Sequence, residues 1–183
     1  PARRRGARGR LVVPTPPEIA VAYGVAPQDC AVPGGAVAWD AWIEARNPPT
    51  NLPAPATDSM IYTSGTTGHP KAVRRFPATP AEAEKSAWVR RTVYGFAPDM
   101  VAAVPGPLYH SAPNSFGLRA SQTGKGVVLL PRFEPEGLLA AIEAYRITHM
   151  FMVPTMFVRL LKLPAAVKDK YDLSSLRYII HAA

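Results

Sequence analysis

The chain has 183 residues, of which 48% are hydrophobic and 19% are charged, which is enough for one globular domain with a buried core. A single cysteine, Cys30, excludes an intramolecular disulfide framework and is typical of a reducing cytoplasm. No apolar run is long enough for a membrane span, and the N-terminus does not resemble a secretory signal, so we expect a cytoplasmic protein without a membrane span.

The formal net charge of +8 is concentrated at the N-terminus. Without the five arginines among the first ten residues, the charge of the remainder is only +3. Such a basic segment can bind nucleic acid or anionic lipid, but it is more often a disordered end. We therefore expect no nucleic-acid partner. The five arginines are Arg3, Arg4, Arg5, Arg8 and Arg10.

The first part of the chain is rich in proline and predicts little regular structure. Pro1–Pro17 should be irregular, and Asn47–Thr57 should be an extended linker. Between them, two tryptophans and an isoleucine at helical spacing predict a short helix over Ala36–Arg46. We therefore predict an irregular lead-in over residues 1–57 and an α/β domain over residues 58–183.

The next stretch begins with an apolar run, Met60–Tyr62, that predicts a buried strand. Six residues that are all Thr, Ser or Gly follow, and Lys71 ends the stretch. Glycines let the backbone approach a ligand closely, and successive amides can form an anion-binding concavity. A Walker A loop is excluded because Lys71 follows Pro70 and precedes Ala72.

Two interpretations of this loop remain: a polyphosphate-binding loop, and an ordinary Gly/Ser/Thr turn that binds nothing. The density of hydroxyl groups favours the first. The predicted phosphate-binding residues are Thr63, Ser64, Gly65, Thr66, Thr67, Gly68 and Lys71.

Beyond the loop, predicted strands and helices alternate. Thr79-Pro80-Ala81-Glu82 predicts a helix that starts with a capping box and runs to about Tyr94. Later strands are predicted at Met100–Val104, Gly126–Leu130, Met150–Val153 and Tyr178–Ile180. Later helices are predicted over Thr155–Leu163 and from Pro135, with Leu138, Ile142 and Tyr145 on one face. This alternation predicts an α/β fold, with a mainly parallel sheet and flanking helices.

Ligands of an open parallel sheet bind beyond the carboxyl ends of its strands. Three segments directly follow predicted strands: residues 108–111, 154–155 and 181–183. We therefore expect these segments to meet at one edge of the sheet.

Several of these stretches resemble the adenylate-forming (AMP-binding) enzyme superfamily. Y-T-S-G-T-T-G-H-P-K, unbroken from Met60 to Lys71, looks like the signature phosphate loop of acyl-CoA synthetases, luciferases and adenylation domains. Residues 107–110 resemble the second core motif, where an aromatic residue or histidine borders the carboxylate pocket. Residues 148–155 resemble the strand that leads to the acyl-binding wall, and residues 178–183 resemble the strand before the adenine segment.

The resemblance implies an acyl-CoA synthetase or fatty-acid–CoA ligase. Such an enzyme joins a carboxylic acid to ATP with Mg²⁺, releases pyrophosphate, and transfers the acyl group from the acyl-adenylate to coenzyme A. The resemblance covers residues 58–183 well and residues 1–57 hardly at all. The family's adenine and ribose segments and its C-terminal domain would follow Ala183. We therefore expect an internal fragment of the large N-terminal domain, inactive alone, with the Mg²⁺ ligands elsewhere.

The resemblance also implies roles for individual residues. The implied catalytic residues are Thr66, Lys71 and His110. The implied acid-binding residues are Tyr109, His110, Phe116, Met152, Pro154, Thr155, His181 and Ala182. A lone histidine more often packs or caps a helix, and strand residues such as Met152 often pack the core. Two other function classes stay open: a non-catalytic nucleotide-binding module, which the same loop would serve, and a basic nucleic-acid-binding protein.

Overall fold

The structure is a computed structural model, which describes residues 10–47, 60–63, 69, 71–73 and 76–181. The chain divides into two compact units, Pro1–Ala56 and Thr57–Ala183. The predictions for Ser64–Gly68, for Ala182 and for the arginines before residue 10 lie outside the described residues. Among the helices that are described, none is long and apolar enough to cross a membrane.

The N-terminal unit is more regular than its proline content predicts. Strand β1 (Arg10–Val12) pairs in parallel with β2 (Ala36–Ala38), and the connection contains helix α1 (Pro17–Tyr23). Pro17 at the first helical turn is already set for helical φ. Helix α2 (Trp39–Glu44) follows β2 directly. The prediction of an irregular segment to residue 17 is therefore wrong at Arg10–Val12 and at Pro17, whereas residues 13–16 are irregular. The helix predicted from Ala36 begins three residues later because a strand pairing takes those residues.

The second unit begins with a two-stranded antiparallel hairpin. Strand β3 (Ile61–Thr63) pairs with β4 (Lys71–Val73), and Thr63 is the register partner of Lys71. Tyr62 is 67% exposed, so the prediction of a buried strand here is wrong. Ile61 and Tyr62 of the apolar run do lie in a strand, but among the described residues this strand pairs with β4 alone. The run itself contains no information about its partners.

The main sheet has four parallel strands in the order β6-β5-β7-β8. These are β5 (Val101–Val104), β6 (Gly126–Leu129), β7 (His149–Met152) and β8 (Tyr178–His181). All four predicted strands and their parallel arrangement are confirmed, with shifts of one residue at some ends.

Helix α3 (Pro80–Thr92) starts with the predicted capping box. The Thr79 hydroxyl accepts a hydrogen bond from the Glu82 amide at 3.4 Å, and the Glu82 carboxylate accepts one from the Thr79 amide at 2.8 Å. This local motif is confirmed because both partners lie within one turn of chain.

Four more helices connect or follow the strands: α4 (Ser111–Thr123), α5 (Pro135–Tyr145), α6 (Pro154–Leu161) and α7 (Ala165–Lys168). The sequence did not predict α4, whose Pro113 and Gly117 read as helix breakers. Pro113 lies in the first turn, where proline is tolerated. A Cβ on Gly117 would lie 3.2 Å from a methyl group of Val104, so glycine permits close packing on β5.

The sheet separates two cores. On one face, α4 packs its Phe116 and Ala120 against β5 and β7; on the other face, α5 and α6 pack against Met150 and Met152. Every residue of β7 is buried. The prediction of the buried face of α5 is partly wrong, because Tyr145 is 60% exposed. Leu138 and Ile142 are buried as predicted, and Leu139 is buried beside them.

Candidate active site

The strand order locates the binding edge of the sheet. The chain goes from β5 through α4 to β6 on one side, and then returns through α5 past β5 to β7 on its other side. The helices of these two crossovers lie on opposite faces. The strand order therefore reverses between β5 and β7, and a crevice beyond the carboxyl ends at such a reversal is where open α/β sheets bind ligands.

Gly106 lies two residues beyond the carboxyl end of β5 and is buried. A Cβ on Gly106 would lie 3.6 Å from Cε of Met156 and 3.7 Å from Cγ of Pro113. Pro113 belongs to the first turns of α4, and Met156 belongs to the first turn of α6. Gly106 thus packs against side chains from the first turns of two helices, α4 and α6. Such ends carry partial positive charge, which favours a carboxylate or phosphate nearby.

His110 is the N-cap residue of α4, which follows the carboxyl end of β5. Its amide donates to the Pro107 carbonyl at 3.1 Å, and its carbonyl accepts from the Asn114 amide at 3.1 Å. The imidazole makes no capping hydrogen bond; it is exposed and lies 4.5 Å from the ring of Tyr109, between centroids. A capping role therefore does not account for this side chain, and its catalytic role stays a prediction.

The other predicted edge residues also lie at the carboxyl ends of the strands. Pro154 and Thr155 open α6 directly after β7, and both are exposed. His181 ends β8, where it pairs with Met152, and its ring stands edge-on to Phe157 of α6 at 6.0 Å. The structure thus brings Tyr109, His110, Pro154, Thr155 and His181 to one edge of the sheet.

The predicted phosphate loop connects the two strands of the hairpin. Thr63 and Lys71 are register partners across the hairpin, so the two ends of the hydroxyl-rich stretch lie next to each other in space. The Lys71 side chain is exposed there. Residues 64–68 are not described, so phosphate binding by Thr63, by those residues and by Lys71 stays a prediction.

The sequence profile of the family described as "AMP-binding enzyme" matches residues 14–183. This chain belongs to the AMP-binding enzyme family. The match begins well before the hydroxyl-rich loop, so the expectation that residues 1–57 bear hardly any resemblance is wrong for most of that segment.

Named relatives agree with this assignment. The chain is 33% identical over 130 residues to a probable CoA ligase, CCL5, of Humulus lupulus, and 34% identical over 132 residues to 4-coumarate–CoA ligase 2 of Oryza sativa subsp. japonica. Each comparison covers 68% of this chain and 22% of the relative. The chain therefore spans about a fifth of the length of these curated relatives.

Solved structures of the family share the fold. The amide bond synthetase McbA of Marinactinospora thermotolerans is 34% identical over 67% of this chain and 23% of its own, with a TM-score of 0.51. The O-succinylbenzoate coenzyme A synthetase MenE of Bacillus subtilis, in complex with AMP, is 25% identical over 81% of this chain and 37% of its own, with a TM-score of 0.57.

Two of the predicted acid-binding residues, Phe116 and Met152, are not exposed with the others at the carboxyl edge of the sheet, and they are also separated from each other. Phe116 is buried on the α4 face, with its ring 5.7 Å from that of Phe96 and 6.2 Å from that of Phe151. Met152 is buried on the opposite face under α5 and α6. The two side chains do not line one surface, and both pack as core residues. Their contact with an acid stays a prediction.

A buried histidine that sequence reasoning did not single out lies at the other end of the sheet. The His149 imidazole is fully buried, with Nε2 2.9 Å from the Gly95 carbonyl and Nδ1 2.7 Å from the Thr148 hydroxyl. A carbonyl only accepts, so Nε2 carries the proton and donates to Gly95, while the Thr148 hydroxyl beside Nδ1 also donates to the Val101 carbonyl at 3.1 Å. The ring also stacks on that of Tyr178 at 4.8 Å.

The surroundings of His149 oppose its protonation. Burial lowers the pKa of His149 below its usual value, and Arg177 lowers it further, whereas the hydrogen bond to Gly95 and the charge of Asp99 raise it. His149 lies at the amino end of β7, at the opposite edge from the crevice. We interpret it as a neutral structural residue.

Sequence reasoning also missed the close packing of Gly106 and Pro113 at this edge of the sheet. The available signal was the triplet Pro105-Gly106-Pro107 directly after a predicted strand, where a glycine marks a close approach of the backbone. Within the described part of the chain, no group of three or more His, Cys, Asp or Glu side chains is arranged to hold a metal ion.

Proposed function

We propose that this chain is part of a longer ATP-dependent ligase that activates a carboxylic acid as an acyl-adenylate and then transfers the acyl group to coenzyme A. The observation that carries the proposal is the family match over residues 14–183. The names of the curated relatives, which are CoA ligases, support coenzyme A as the acceptor. A cytoplasmic location and a role in fatty acid metabolism belong to the same proposal.

The proposed division of labour follows from the two ends of the site. The acid carboxylate would lie near His110, where the first turns of α4 and α6 carry partial positive charge. The ATP phosphates would lie at the loop that Lys71 ends, because hydrogen bonds from a cationic group to phosphate are about twice as strong as neutral ones. The positive helix ends near His110 and the Lys71 ammonium group would both stabilise the negative charge that develops as pyrophosphate leaves.

ATP and Mg²⁺ are the proposed cofactors. The MenE structure of Bacillus subtilis in complex with ATP and a magnesium ion supports this proposal. We propose that the residues that ligate Mg²⁺ and the adenine-binding segment lie outside this chain, and that the 183 residues alone do not complete the reaction.

A second candidate differs in the acceptor. Because the chain is 34% identical to an amide bond synthetase over 67% of its length, an amine in place of the coenzyme A thiol is the alternative. Both candidates share the acyl-adenylate step, so the product formed after adenylation distinguishes them.

The test uses the complete protein with ATP, Mg²⁺ and a panel of acids. We expect acid-dependent exchange of labelled pyrophosphate into ATP, and thioester formation when coenzyme A is added. Lys71→Ala should slow the exchange by about 10²-fold or more, as removal of a charge-stabilising donor does in other active sites, and should leave the fold intact. ATP binding without acid-dependent exchange would instead identify a non-catalytic nucleotide-binding module.

A further inference from the structure

The chain that joins α3 to β5 over residues 93–100, which we call the α3–β5 connection, lies against the amino ends of β7 and β8. The Gly95 carbonyl accepts a hydrogen bond from Nε2 of His149 at 2.9 Å, and Asp99 forms an ion pair with Arg177 at 2.9 Å. His149 begins β7, and Arg177 directly precedes β8. Side chains from the start of the two strands thus hold the connection against the sheet.

The chain before the connection adds little to this attachment. No residue of helix α3 is buried, and the Phe96 amide donates to the carbonyl of Arg90, which lies in the last turn of the same helix. A local opening costs only the contacts that it breaks. For the α3–β5 connection these are the contacts with His149 and Arg177 and those of the buried Phe96 ring.

The connection also encloses the His149 ring. The Gly95 carbonyl covers Nε2, and the Phe96 ring stands edge-on to the imidazole at 6.4 Å between centroids. Tyr178 of β8 stacks on the imidazole at 4.8 Å. A Cβ on Gly95 would clash with this Tyr178 ring, so only glycine allows the backbone to approach so closely. Displacement of the connection would remove Gly95 and Phe96 together and would open the Nε2 side of His149 to water.

The hydrogen bonds around His149 accommodate a second proton, whereas its burial does not. The Thr148 hydroxyl lies 2.7 Å from Nδ1, donates to the Val101 carbonyl at 3.1 Å and accepts from the Val101 amide at 3.0 Å. A proton on Nδ1 would therefore find an acceptor in the hydroxyl oxygen. Burial is the main cause that lowers the pKa of His149, and Arg177 lowers it further, although Asp99 and the hydrogen bond from Nε2 raise it.

We propose that His149 is a pH-sensitive latch, which releases the α3–β5 connection from the sheet when its ring takes up a proton, while the strands stay paired. The charged and titratable groups beside the ring, among the described residues, are Asp99 on the connection and Arg177 and Tyr178 at the start of β8. Once the ring reaches water, its pKa returns to about 6.5. The open state then binds a proton that the closed state does not, so acid increases its population. This device does not depend on the proposed function.

The test is amide hydrogen exchange of the complete protein, measured by mass spectrometry and corrected for the intrinsic pH dependence of exchange. From pH 7.5 to pH 5.5, we expect the opening equilibrium constant of residues 94–99 to rise by about 10-fold, and that of β6 to stay unchanged. His149→Gln retains N–H donors but does not titrate, so it should abolish the rise. Asp99→Asn is the matched control, because it removes the carboxylate of the connection and should leave the rise in place.

The latch would be overturned by the absence of a rise in the unsubstituted protein, by a rise that persists in His149→Gln, or by one that is lost in Asp99→Asn. Equal rises over residues 94–99 and over β6 would also overturn it, because they would indicate that the whole sheet opens. If His149→Gln does not fold, the comparison of these two segments in the unsubstituted protein and in Asp99→Asn decides the outcome.

Discussion

Gly95→Ala should destabilise the second unit, because Gly95 is pressed against an aromatic ring. Gly95 has a φ of +66°, and a Cβ there would clash with Cε2 and Cζ of the Tyr178 ring. The left-handed backbone costs a non-glycine residue roughly 1–2 kcal/mol. Moving the Tyr178 ring away would also weaken its stacking on His149, worth about 0.5–1.5 kcal/mol. We therefore expect a loss of about 2–3 kcal/mol in the free energy of unfolding.

Urea denaturation followed by far-ultraviolet circular dichroism measures this loss, with Gly126→Ala as the control. Gly126 begins β6 in the same sheet, its φ is outside the left-handed region, and nothing lies within 4 Å of an added Cβ. Its substitution should change the free energy of unfolding by less than about 0.5 kcal/mol. Equal losses for Gly95→Ala and Gly126→Ala would refute the close contact between Gly95 and Tyr178.

Three further predictions follow from the site and the core. The folded-state pKa of His149 is lowered, so the unfolded chain binds more protons; stability should be full above pH ~6.5 and fall below it. His149→Gln should weaken that dependence in urea titrations at pH 7 and pH 5, whereas an unchanged dependence would show that His149 is not its source. Met152→Trp should cost about 1–3 kcal/mol by overpacking a core residue that is 1% exposed; a selective loss of activity on long acids at unchanged stability would contradict this. His110→Ala in the complete protein should lower kcat/KM for hexanoate and dodecanoate by similar factors, because the imidazole is exposed at the edge where we propose that the acid carboxylate binds; a shift in the ratio of the two values would contradict that role.

The local features of the chain were predictable from the sequence. The capping box of Thr79 and Glu82 was predicted because its partners are three residues apart. The four strands of the main sheet were predicted from short apolar runs bounded by turn residues, and their parallel arrangement follows from the intervening helices. The family resemblance was predicted from one continuous stretch, Met60 to Lys71. In each case, the information lies within a short segment.

Features that depend on distant partners were not predictable in this way. Ile61 and Tyr62 lie in a strand as predicted, but Tyr62 is exposed, because in the described part of the chain β3 pairs only with β4. Helix α4 was missed because Gly117 reads as a breaker until β5 packs against it.

The same distinction explains the candidate site. Phe116 and Met152 look equivalent as apolar residues near the binding motifs, yet the alternation of side chains along β7 and the crossover of α4 place them on opposite faces of the sheet. Gly106, Pro113 and Met156 are far apart in the chain and meet only because the strand order reverses between β5 and β7. Residue type and short-range spacing determine which segments form strands and helices, whereas strand order and crossover direction determine which side chains share a surface.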